Sequence, residues 1–206
     1  RNPQKFMNPY RPFARAIPVW PKKLARRMNT WVSFHARVEL TGTRHGTLRI
    51  AAAQAYRIWV NGELAGRGPA RAAHGFARVD EWPVKADASG ALRVIIEVMG
   101  YGVATFCSTQ EPAFCCAEIS AGKEVVAWTA TRGGHFVAEQ RTERVQNVER
   151  YSYQRAFVEA YRIGAAGLTW RAPNYAPARP LESARVTHRR TWLARGMEDT
   201  DLWILK

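Results

Sequence analysis

From Val32 the chain alternates apolar and polar residues in steps of two. Val32, Phe34, Ala36, Val38 and Leu40 fall on one side, and Ser33, His35, Arg37 and Glu39 on the other. Successive side chains on a strand point to opposite faces, so this stretch predicts a half-buried strand. Residues 41–46 predict a turn. Leu48, Ile50 and Ala52 then repeat the pattern. In residues 55–71, AYRIWVNGELAGRGPAR, Tyr56, Ile58 and Val60 share one face while Arg57 and Trp59 share the other. Asn61-Gly62 between two such runs is a strong hairpin signal, because both central positions of a type I′ turn need positive φ. The run Gly66-Arg67-Gly68-Pro69 ends the pairing and predicts a rigid loop bearing arginine.

Further strands are expected at 76–82 and at Leu92, Val94, Ile96 and Val98, with a polar loop at 85–90 between them. Residues 113–119 are apolar on both faces. Phe114 and Cys116 lie on one, and Cys115, Ala117 and Ile119 on the other, which places this strand inside a sandwich or under a second layer. Residues 125–129 and 135–138 are the next candidates. Residues 145–163 read as a long strand, with a helix competing over 141–150. About ten short strands, turn signals between them and no sustained helical period predict an all-β fold, a β-sandwich or jelly roll. Residues 1–30, broken by prolines, predict an extended arm that packs Phe6, Tyr10, Phe13 and Trp20 on a neighbouring surface, with a short helical turn near 22–28. Residues 31–163 form the sandwich domain. Residues 164–180 lose all period and read as a linker, and 181–206 as the start of a following domain.

At 206 residues one domain with an appendage is expected. No run approaches the ~20 apolar residues of a membrane helix. The formal charge is +14, and only six of the 31 basic residues are lysine. Such a balance suits nucleic acid, an acidic partner or an acidic glycan. The arginines are scattered, and no zinc-finger spacing, basic helix or RNP motif accompanies them, so nucleic acid is disfavoured. An odd cysteine count, Cys107, Cys115 and Cys116, argues against a complete disulfide framework, and Cys115 and Cys116, neighbours inside an apolar run, read as buried free thiols.

No histidine pair has metal spacing, no Gly-x-Ser-x-Gly elbow occurs, and Gly66-Arg67-Gly68 lacks the Lys-Ser/Thr ending of a phosphate loop. Neither a metal nor a cofactor is expected. Glu118 and Glu159 are the carboxylates that a glycosidase would use as acid and base, set roughly 5 to 9.5 Å apart. The competing expectation is that each is paired with an arginine. Trp59, Trp82, Tyr101 and Phe106 offer flat rings of the kind that stack on sugars. The expected carbohydrate contacts are Trp59, Asn61, Arg67, Arg71, His74 and Trp82, gathered by the hairpin and the strand after it.

Three blocks, RIWVNGELAGRGPARAAHGFARVDEW, IEVMGYGVATFCSTQEPAFCCAEI and RYSYQRAFVEAYRI, resemble the N-terminal β-sandwich region of bacterial α-L-rhamnosidase-type glycoside hydrolases. The resemblance implies a galactose-binding-like jelly roll beside a separate (α/α) barrel that holds the catalytic glutamates. No catalytic residue is carried over to this chain. It is therefore expected to be a non-catalytic carbohydrate-recognition or structural accessory domain. Its expected partners are a glycan, rhamnose-containing in the first instance, and the catalytic domain of a parent enzyme. A stand-alone glycosidase and a purely structural interaction module are the alternatives.

Overall fold

The computed structural model describes residues 10–164 and 168–195. Its strands are β1 Val19–Pro21, β2 Thr30–Glu39, β3 His45–Ala52, β4 Ala55–Val60, β5 Glu63–Gly68, β6 Phe76–Lys85, β7 Ala91–Gly100, β8 Cys115–Ala121, β9 Glu124–Trp128, β10 Val137–Gln140, β11 Ser183–Arg185 and β12 Thr191–Ala194. Two single-turn 3₁₀ segments lie at Lys22–Leu24 and Thr169–Arg171. The strands form two sheets. One runs β11-β1-β8-β3-β6-β12 with β9 beside β8, and the other runs β10-β2-β7-β4-β5.

The alternation read from sequence is what holds the sheets together. Val32, Phe34 and Ala36 of β2 bury against Leu48 and Ile50 of β3 and Cys115, Ala117 and Ile119 of β8, with Leu92, Val94, Ile96 and Val98 of β7 completing the layer. Burying such side chains stabilises by roughly 1.5–3 kcal/mol each. The fold is an all-β sandwich. β8 is two-faced as expected, because its other side meets a second apolar cluster. There Phe114 and Cys116 pack with Ala51, Ala77 and Val79, beneath Phe13, Val186 and Trp192.

That second cluster explains where the segments around Phe13 and Trp192 go. Phe13 meets Trp192 edge-on at 5.4 Å between ring centroids. β1 pairs with β8 and β11, and β12 pairs parallel with β6. Residues 19–21, 183–185 and 191–194, expected in an arm and beyond a linker, are therefore strands of the larger sheet. Phe6 and residues 196–206 lie outside the described residues.

The outer face of the smaller sheet departs most from the sequence reading. Ser33, His35, Arg93, Glu97 and Glu139 are buried there. The cover is supplied by residues within 141–164 and 168–175. The expected long strand at 145–163 is instead a loose hairpin, with single bridges Arg144↔Tyr161 and Arg150↔Phe157. The aperiodic segment after it lays Trp170 edge-on over Trp59 at 5.1 Å and Tyr175 over His35 at 5.6 Å. Arg144 lies over Trp31 at 3.3 Å and reaches Glu97 at 3.1 Å, while Arg57 meets the other Glu97 oxygen at 2.8 Å. A buried carboxylate needs such partners, and Glu97 has two.

Candidate functional site

One end of the sandwich opens into a cleft of about 400 Å³. That is within the range of small-molecule sites, roughly 300–1,000 Å³. Three connections meet there: residues 53–54 between β3 and β4, residues 69–75 between β5 and β6, and residues 101–114 between β7 and β8. Arg190, just before β12, also lines the cleft. Long connections without secondary structure are commonly functional, and the β7–β8 loop is of that kind. It presents Phe106 with 84% of its surface exposed, facing a cleft that Phe76, 41% exposed, also lines.

The polar lining is held in place. Thr109 Oγ1 donates to Glu111 Oε1 at 3.2 Å and lies 3.4 Å from His74 Nδ1. Glu111 Oε2 is 3.4 Å from Arg190 Nε. The Arg190 side chain is only 2% exposed. It lies 4.0 Å over Phe114 and donates to the Pro112 carbonyl at 3.0 Å. Burial lowers its pKa, against the raising influence of Glu111. Gln54, at φ 53, accepts the Tyr101 N–H through its amide oxygen at 2.6 Å. Its buried Nε2 has no hydrogen-bond partner among the described residues.

Of the six contacts expected from sequence, Arg71 and His74 line this cleft together. Arg67 is exposed on edge strand β5. Asn61 lies at the far end of β4 from Gln54, roughly 20 Å away at the rise of a strand. It shapes its turn at φ 50, accepts the Arg93 N–H at 2.9 Å and donates to the Lys85 carbonyl at 3.0 Å. Trp59 is 5% exposed and sits beneath Trp170. Trp82 covers Gly66 and donates its indole N–H to Tyr56 Oη at 2.9 Å. Tyr56 in turn donates to the buried Asp80 carboxylate. Burial first, and then Asp80, push the Tyr56 hydroxyl well above the usual phenol range.

Gln54, Phe76, Arg78, Thr109, Glu111 and Arg190 carry no motif in the sequence, and Phe106 stands there only as one flat ring among several. They come from four segments that only the strand order brings together. The local signal is a stretch without apolar alternation at 103–112, VATFCSTQEP, with one aromatic in it.

Glu118 and Glu159 occupy opposite outer faces of the sandwich. Glu118 is 1% exposed and accepts the N–H groups of Ala14, Arg15 and Ala16 at 3.0, 2.7 and 3.1 Å. Its partners are backbone amides, not the expected arginine. Glu159 pairs with Arg144 at 3.0 Å on the other side. Two sheets about 10 Å apart lie between them, which excludes the glycosidase spacing for this pair. Among the described residues no group of histidine, cysteine and carboxylate side chains is arranged to hold a metal ion. None of their helices is long and apolar enough to cross a membrane.

No family model matches the chain, and no curated protein matches it. Solved structures do. A GH78 family rhamnosidase of Bacillus sp. GL1 superposes with a TM-score of 0.80 at 20% identity, over 92% of this chain and 20% of that one. The sandwich has the fold of a stretch of that rhamnosidase. The α-L-rhamnosidase of Dictyoglumus thermophilum is similar, with a TM-score of 0.62 at 11% identity, over 87% of this chain and 22% of that one. A lectin from Pleurotus ostreatus, solved in complex with GalNAc, gives a TM-score of 0.52 at 14% identity, over 88% of this chain and 44% of that one. The chain thus spans about a fifth of the length of the rhamnosidases it resembles.

Proposed function

We infer that the chain is a carbohydrate-recognition unit without catalytic machinery of its own, and that the cleft between the β5–β6 and β7–β8 loops is its saccharide site. The observation behind this reading is the make-up of the cleft: the exposed Phe106 ring shares its lining with Arg71, His74 and Gln54. A flat ring takes the apolar face of a sugar, and the polar groups take its hydroxyls. The rhamnosidase and lectin likenesses support the reading and supply the first probes, L-rhamnose, rhamnose-containing oligosaccharides and N-acetylgalactosamine. Isothermal titration is expected to show binding to at least one of them. Phe106→Ala is expected to weaken that binding about tenfold, near 1.4 kcal/mol, without lowering thermal stability. Absence of heat with every sugar leaves only a bracing role.

A second reading, as a brace for a catalytic domain, has its own support. Tyr151, Tyr153 and Ile163 on the 144–163 hairpin are 87%, 79% and 64% exposed. Exposed aromatics grouped on one excursion suit a protein contact.

A further inference from the structure

The charge of the cleft points beyond a neutral sugar. Its lining holds three guanidinium groups, Arg71, Arg78 and Arg190, and one carboxylate, Glu111, so three positive charges less one leave +2. Glu111 is already engaged by Arg190 at 3.4 Å and by Thr109 at 3.2 Å. Arg78 donates to the carbonyls of Arg71, Ala194 and Arg195 at 3.1, 2.9 and 2.8 Å. Those bonds fix the guanidinium but cancel none of its charge. The Arg71 side chain is exposed and has neither a hydrogen bond nor an ion pair among the described residues. It is thus an unspent planar fork, the shape that matches carboxylates and sulfates through two parallel hydrogen bonds. Low-dielectric walls, here Phe76, Phe106 and Pro69, concentrate the field of such a group.

We propose that the saccharide taken by this cleft is anionic, a sugar bearing a carboxylate or a sulfate ester, with Arg71 as its counter-ion. This rests on the reading of the cleft as a saccharide site. Phe106 receives the apolar ring face while Arg71 receives the acid. Nucleic acid is the less favoured anion, because a polyphosphate strand needs a track of cations with several stacking rings, and the cleft lining offers two exposed rings, Phe76 and Phe106, and no such track.

The test is calorimetric titration of the whole chain with three oligosaccharides of equal length: one uncharged, one ending in glucuronic acid and one ending in a sulfate ester. A single-stranded DNA oligomer is the fourth ligand. At low salt one of the two acidic sugars is expected to bind about tenfold more tightly than the uncharged one, and high salt is expected to remove most of that advantage. Whichever acid is preferred distinguishes carboxylate from sulfate. Arg71→Gln is expected to abolish the advantage. Arg132→Gln, an exposed arginine outside the cleft, is expected to keep it. Equal affinity for charged and uncharged sugars overturns the proposal and leaves the saccharide reading standing. Binding to none of the sugars removes both. DNA binding that is tighter than any sugar and equally dependent on Arg71 overturns the proposal in favour of a nucleic-acid ligand.

Discussion

Cys107 is exposed on the β7–β8 loop, whereas Cys115 and Cys116 are buried on opposite faces of β8. Burial raises both buried thiols above the usual cysteine range, and the thiolate is the reactive form. A native-state titration with a disulfide reagent is therefore expected to modify one thiol of the three, and the other two only after unfolding. Rapid reaction of two thiols in the native protein contradicts the buried placement. Glu118 is a second residue whose role comes from its partners. Replacing it by alanine leaves three N–H groups of the 14–16 segment without an acceptor. Glu118→Ala is expected to destabilise by about 2–4 kcal/mol, since hydrogen bonds to a charged group contribute more than neutral ones and the amides stay part-buried. Chemical denaturation measures it. Gly62 carries a φ of +92, and a Cβ there would meet the Pro173 ring at 3.2 Å. Gly62→Ala is expected to cost about 1 kcal/mol or more for both reasons.

At the scale of elements, the cover over the smaller sheet sets how stability responds to acid. His35 lies on the covered face of β2. The Ser33 hydroxyl lies 2.7 Å from His35 Nε2 and 3.3 Å from the Glu139 carbonyl oxygen, which ties the ring to both strands, β2 and β10. Burial, followed by the Arg141 and Arg93 charges, lowers the His35 pKa from 6.5 to about 3. The unfolded chain takes up a proton below pH 6.5 while the folded one stays neutral. Stability is thus complete above that value and falls as the pH drops toward 3, by up to about 1.4 kcal/mol per pH unit. Glu139 works in the same direction at lower pH. Burial alone would raise its carboxyl, but the Tyr175 hydroxyl, the Arg179 N–H and Arg141 outweigh burial and hold it below 4.5. Its contribution is present above 4.5 and is lost as the pH falls through its folded-state value. Melting curves between pH 7 and pH 4 are expected to shift steadily downward, with a shallower slope in His35→Gln. An unchanged slope in that variant contradicts the assignment.

The whole molecule shows which features a sequence can declare. The Asn61-Gly62 turn, the two faces of β8 and the apolar stripe of β2 are local patterns, each dictated by backbone geometry at neighbouring positions, and each is found where the pattern places it. Trp170 and Tyr175 carry no such pattern. They cover the sheet from an irregular segment that reads as a linker, and only the tertiary fold reveals why His35, Glu97 and Glu139 tolerate burial. The cleft is partly legible, through Arg71 and His74, because both come after the hairpin in the chain. Phe106, Gln54 and Arg190 join them only through strand order, since β3, β7 and β12 are distant in sequence and their ends meet in space. Trp59 shows the converse. Its parity on β4 places it off the central core, yet that face has a cover of its own.

Cys107 provides a reporter inside the cleft, since it lines the same wall as Phe106. The rate of its alkylation, with and without a saccharide that calorimetry shows to bind, tests the location of the site directly. A saccharide seated between the two loops is expected to slow alkylation in proportion to its occupancy and to lose that protection in Phe106→Ala. An alkylation rate indifferent to saturating saccharide would place the binding elsewhere on the sandwich.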